Sequence, residues 1–123
     1  MAVILAEYAS EPVDITHVLK MTLIHDVVEI DAGDTFVYDA EGGLDKAERE
    51  QSAADRLFAL LPPDQAAEFR ALWDEFEERK TPEARFAAAM DRLIPQLHNY
   101  YGEGGSWKDH AITHDRVVAR NAT

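Results

Sequence analysis

The residues that could do chemistry crowd into one decapeptide, His25-Asp26-Val27-Val28-Glu29-Ile30-Asp31-Ala32-Gly33-Asp34, directly behind the apolar run Val18-Leu19-Lys20-Met21-Thr22-Leu23-Ile24. Carboxylates and an imidazole at the end of an apolar helix are costly to desolvate unless a cation offsets them, and a metal ion is the usual one. Nitrogen and oxygen donors of this kind suit a divalent ion, and Mn, Co, Fe, Ni, Zn and Mg are all compatible with them. The chemistry such an ion supports at this position is hydrolysis.

The His-Asp dipeptide is not specific by itself. His114-Asp115 is a second copy, in a segment of exposed character, and taken alone His25-Asp26 reads first as a capped or hydrogen-bonded core pair. Asp91 shifts the balance. It lies in Phe86-Ala87-Ala88-Ala89-Met90-Asp91-Arg92-Leu93-Ile94, a stretch so apolar that the carboxylate needs a partner. A metal shared with His25 and Asp26 would be one; an ion pair with Arg92 or Arg85 would be the other. Glu29, one turn beyond His25, is placed to orient a water and take its proton, and Asp34, behind the flexible Gly33, to assist a leaving group. For these two the plain alternatives are a solvated helix face and an ordinary turn residue. His98 is expected to be a core histidine, His17 and His110 have no supporting spacing, and Lys46, Arg49 and Arg92 are either surface ion pairs or phosphate contacts.

The elements that must position these groups read as helical throughout, an all-α bundle of five to six helices in one domain over residues 1–123. Residues 2–10 look like the end of a helix that begins without a cap. Asp14 is the N-cap of a second helix reaching about residue 30, with Ile15, Val18, Leu19, Thr22, Leu23, Asp26, Val27 and Ile30 as its core stripe, so that Asp26 falls among the buried positions. Residues 31–43 are a loop. A third helix spans about 44–61, and Asp64 caps a fourth through about residue 80 with Phe69, Leu72, Trp73 and Phe76 inward. Thr81-Pro82 opens a fifth to about Tyr100, with a kink at Pro95. After a loop at 102–105 a short helix covers about 113–120.

Composition narrows the function classes. Hydrophobic residues at 46% and charged residues at 29% describe a globular chain large enough for its own core. A net charge of −12 opposes binding to a nucleic-acid backbone, while a small anionic substrate needs only a local patch that reverses the field. No apolar run is long enough for a membrane span, no signal-peptide pattern opens the chain, and the absence of cysteine rules out a thiolate metal site. A cytoplasmic setting is the expectation.

Taken together, His25-Asp26, Glu29, Gly33-Asp34 and the distant Asp91 resemble the pattern of the HD-domain metal-dependent phosphohydrolases, in the branch similar to 5′-deoxynucleotidases, over nearly the whole chain. The resemblance implies that His25, Asp26 and Asp91 are metal ligands, that Glu29 and Asp34 match the catalytic acidic positions, Glu29 orienting the attacking water and Asp34 assisting the leaving oxygen, and that the protein is a homodimer acting on a small phosphorylated substrate such as a nucleotide. It also implies a further metal-binding histidine and a phosphate-binding arginine upstream of His25. Of the 24 residues before His25 only His17 is a histidine, and it sits on the wrong helix, so the first helix is expected to be incomplete. The second expectation is therefore a catalytically impaired binding or interaction protein with an incomplete metal site.

Overall fold

The computed structural model describes residues 1–33 and 45–122, and all regular structure among them is helical. In chain order the α-helices are α1 (Ala2–Leu5), α2 (Ile15–Ile24), α3 (Glu29–Ala32), α4 (Lys46–Phe58), α5 (Pro63–Glu78), α6 (Pro82–Tyr101), α7 (Gly105–Asp109) and α8 (His114–Asn121). Two 3₁₀ turns, Ala6–Tyr8 and His25–Val28, follow α1 and α2.

Local capping chemistry sets the two helices that matter most. The Asp14 carboxylate accepts the backbone N–H groups of Thr16 at 3.0 Å and His17 at 3.3 Å, satisfying donors the first turn of α2 would otherwise leave open. Thr81 does the same for α6, its Oγ1 accepting from the Ala84 N–H at 3.1 Å with Pro82 in the first turn. The two caps are joined, because the Asp14 N–H donates to Glu83 Oε1 at 3.0 Å. Helix α5 differs from expectation: its cap position is Pro62, with Pro63 the first helical residue, and Asp64 lies inside the first turn, where its charge meets the helix dipole. Helix α6 runs on through Pro95, which has no N–H to return to the Asp91 carbonyl.

Helix α2 packs on α5 and α6 through Val18, Met21, Leu72, Phe76, Ala84, Ala87 and Ala88. The alanines on α6 let α2 approach closely. A second cluster, Val28, Ala53, Ala54, Phe58 and Trp73, joins the 3₁₀ turn to α4 and α5. The expected stripe of α2 is therefore rotated. The buried register is Val18, Met21, His25 and Val28, while Leu23 and Ile30 are 74% and 76% exposed. Both faces of this helix carry apolar residues, and contact with α5 and α6 selects between them. The change matters for the site: His25 turns inward and Asp26 outward, the reverse of the expected placement.

Helix α7, absent from the sequence expectation, is held on α6 by Asn99. Its buried amide oxygen accepts from Ser106 Oγ at 3.0 Å and the Trp107 N–H at 3.3 Å, and its Nδ2 donates to the Pro95 carbonyl at 2.9 Å. No helix among the described residues is long and apolar enough to cross a membrane.

Candidate metal centre

Adjacent residues on a helix point at least about 100° apart, so His25 and Asp26 can meet one ion only from the edge of a helix end. Helix α2 ends at Ile24, and both residues lie in the 3₁₀ turn that follows, at the edge of a cavity of about 500 Å³. From α6, Asp91 reaches the same point. His25 Nε2 lies 3.0 Å from Asp26 Oδ1 and 3.2 Å from Asp91 Oδ1, and one ligand atom from each residue falls within 4.8 Å of the others. The His25 side chain is 11% exposed, against 67% for Asp26 and 48% for Asp91, so the imidazole is fixed and the carboxylates face the opening.

The donor set fits a cation, and the His25 ring shows why. Its Nδ1 lies 2.9 Å from the Thr22 carbonyl, which can only accept, so Nδ1 carries a hydrogen. The ring is further held by Phe76, with centroids 4.2 Å apart. Nε2 of a neutral imidazole would then turn its lone pair on two carboxylates. Something positive must lie there, a proton or a metal. This is the arrangement in which a second hydrogen bond orients a metal-binding histidine. Asp91 has found its partner in His25, while Arg85 meets Glu11 instead.

Electrostatics follow from the same geometry. Burial lowers the basicity of His25, but the Asp91 hydrogen bond and the Asp26 and Asp91 charges outweigh it and hold the imidazole above its ordinary value. The His25 hydrogen bond in turn holds Asp91 below the usual carboxylate range, against the effect of burial. A histidine whose folded pKa is raised stabilises the fold fully below its unfolded value and loses that contribution as pH rises through the folded one. In excess chelator the thermal midpoint is therefore expected to fall as pH rises above the ordinary histidine value of about 6.5, more steeply than in His25→Gln. Parallel profiles for the two proteins would contradict the assignment.

Glu29, at the start of α3, lines the same cavity, as do Lys46 and Glu50 of α4, with Lys46 Nζ 3.3 Å from Glu50 Oε1. Burial and the Glu50 charge together push Glu77 above the ordinary carboxylate range. Arg79, Arg92 and Arg120 bring positive charge to the cavity from the ends of α5 and α8 and from mid-α6. Desolvation comes first, and the like charges of Arg79 and Arg120 second, among the causes that lower the Arg92 guanidinium. Trp107, carried in by α7, lines it too.

The remaining expectations divide. Asp34 lies outside the described residues. His98 is exposed rather than in the core, His17 bonds Glu75 at 2.7 Å, and the His114-Asp115 copy is fully at the surface. Arg49 lines a shallower hollow beside Asp31 and Arg56 and does not line the cavity at His25. Arg79 and Arg120 were missed: the first follows a helix end in a charged run, the second sits in a helix that reads as solvated. Basic residues near an acidic site carried no spacing signal that would single them out.

A family model described as HD domain matches residues 1–123. The chain is 32% identical over 102 residues to 5′-deoxynucleotidase HDDC2 of Bos taurus, covering 81% of this chain and 50% of that protein. Against its Homo sapiens counterpart it is 32% identical over 84 residues, 67% of this chain and 41% of the other. The chain thus spans about half the length of the curated relatives it matches. The crystal structure of a predicted metal-dependent phosphohydrolase from Magnetospirillum magnetotacticum MS-1 superposes with a TM-score of 0.89 at 62% identity, covering 95% of this chain and 58% of that one.

Proposed function

The chain belongs to the HD-domain family, and from that membership we propose that it is a metal-dependent phosphohydrolase acting on a small phosphate ester, in the class of deoxyribonucleoside 5′-monophosphates. The observation that carries the reading is the convergence of His25, Asp26 and Asp91, two of them adjacent in a short turn and the third 66 residues from His25. The similarity to 5′-deoxynucleotidases supports the substrate class.

In this reading His25 Nε2 and one oxygen each from Asp26 and Asp91 hold a divalent ion, whose identity among Mn, Co, Fe, Ni, Zn and Mg the donors leave open. When bound, it supplies Lewis acidity, making water more acidic and offsetting charge on the phosphoryl oxygens. Thr22 keeps the imidazole in the required tautomer through its carbonyl. Glu29 orients the attacking water and accepts its proton; Asp34 protonates or steadies the departing alcohol oxygen. Breaking the P–O bond releases inorganic phosphate and an alcohol. Residues 1–123 act as one HD domain, in the cytoplasm and away from nucleic acid, as a homodimer to which the exposed Leu19 and Leu23, one turn apart on α2, lend apolar surface.

The test is release of inorganic phosphate from a deoxyribonucleoside 5′-monophosphate by the purified chain with Mn or Co added and then chelated. Chelator-sensitive turnover is expected. Turnover no greater than that of Asp91→Ala would refute it.

A further inference from the structure

The charges around the metal centre leave a deficit on the substrate side. A divalent ion held by Asp26, Asp91 and a neutral imidazole is electrically balanced by its own ligands. A phosphate ester brings close to two negative charges at neutral pH, into a chain of net charge −12. Glu29 and Glu77 in the same cavity add to the repulsion, and the one lysine there, Lys46, is already met by Glu50. Binding the substrate therefore requires positive charge within the cavity that is not used up by the metal ligands.

Three arginines supply it, and two have features that a purely structural role does not explain. Arg56, Arg70 and Arg85 each meet a carboxylate outside the cavity, with Asp31, with Asp55 and Asp74, and with Glu11. Arg79 and Arg120 line the cavity with no carboxylate within ion-pair distance among the described residues, and the Arg79 charge acts across it on Glu77 and Asp91. Arg79 also has an unusual backbone. It closes α5 with φ 54° and ψ 33°, its N–H bonded to the Glu75 carbonyl at 3.1 Å, a helix-ending conformation in which glycine is the favoured residue. A long cationic side chain held in that conformation is poorly explained as a helix stop, and well explained by where the guanidinium is delivered. Arg92, next to Asp91, completes the set from α6.

We propose that Arg79, Arg92 and Arg120 form a phosphate clamp, a guanidinium subsite that binds the phosphoryl oxygens of the substrate and the inorganic phosphate it releases. Guanidinium forks match phosphate geometry bidentately, so three from separate helices fix orientation as well as charge. The clamp rests on the reading of the cavity as a phosphate-ester site. It gives α8 a role, since that helix carries Arg120 to the cavity.

The test is binding of inorganic phosphate, followed by titration calorimetry in chelator and again with Mn present. Wild-type protein is expected to bind under both conditions, Arg120→Ala and Arg79→Gly about tenfold or more weakly, and Arg85→Ala, whose side chain lies outside the cavity, like wild type. Arg79→Gly separates the clamp from a structural role: glycine relieves the positive φ, so the thermal midpoint should rise by about 2–5 °C while phosphate binding falls. No phosphate binding by wild type in either condition, or wild-type binding by both Arg79→Gly and Arg120→Ala, would overturn the clamp. So would a lowered midpoint in Arg79→Gly with unchanged binding. Failure of the hydrolase reading looks different: phosphate binds in an arginine-dependent way, but no metal is taken up and no ester is cleaved.

Discussion

Replacing Glu29 by glutamine is expected to lower kcat by about 10²–10⁴-fold while metal content and KM stay close to wild type. Glutamine keeps the size of the side chain and can still hydrogen-bond a water, but it cannot accept a proton at neutral pH. The position is suited to this role, because Glu29 opens α3 immediately after the turn that carries His25 and Asp26 and lines the cavity with them. Steady-state kinetics on metal-loaded protein, with metal content measured on the same sample, separate the two effects. An unchanged kcat would remove Glu29 from the chemistry; a loss of metal would make it a ligand.

Asp91→Ala is expected to act the other way, on the metal first and on turnover in consequence. Removing one of three ligands should weaken divalent-ion affinity by at least about 100-fold, since even loss of an outer-shell partner costs 10- to 100-fold, and should bring hydrolysis to background. The fold should survive. Asp91 is about half exposed, and alanine is a better helix former than aspartate. His25 loses its hydrogen-bond partner and the Asp91 charge, so its raised pKa should fall. Asp91→Asn, which keeps an acceptor oxygen and loses only the charge, should fall between the two in affinity. A folded Asp91→Ala that binds metal and turns over like wild type would dismantle the site.

What could be read from the sequence was what local chemistry decides. Asp14 and Thr81-Pro82 announce the starts of α2 and α6 because a cap acts within three residues of itself. The inward stripe Leu72, Trp73 and Phe76 of α5 was legible because the opposite face of that helix is polar. The register of α2 was not, because Leu19, Leu23 and Ile30 offer a second apolar stripe as good as Val18, Met21 and Val28, and only packing against α5 and α6 distinguishes them. The break at His25 is equally non-local. No glycine or proline marks it, and the α-helix gives way to a 3₁₀ turn where packing of α2 on α6 gives way to packing on α4 and α5. Helix α7 depends on Asn99, whose amide reaches forward over a glycine-rich turn.

The candidate site followed the same division. His25, Asp26 and Asp91 were legible as a set because each is a charge problem in apolar surroundings, and the structure brings one atom of each within 4.8 Å of the others. Their individual burial was not, since it depends on the α2 register. Arg79 was invisible because its delivery into the cavity depends on a left-handed backbone conformation that its residue type disfavours.

The central claim is that one divalent ion binds where His25, Asp26 and Asp91 meet, and a titration of metal-free protein with Co²⁺, followed by visible absorption and by proton release, tests it most directly. The account predicts saturation at one ion per chain, a proton displaced from His25 in a pH-dependent fraction, and loss of the spectrum in His25→Ala and Asp91→Ala. Absence of saturable binding by wild type, or a spectrum unchanged in both variants, would contradict it.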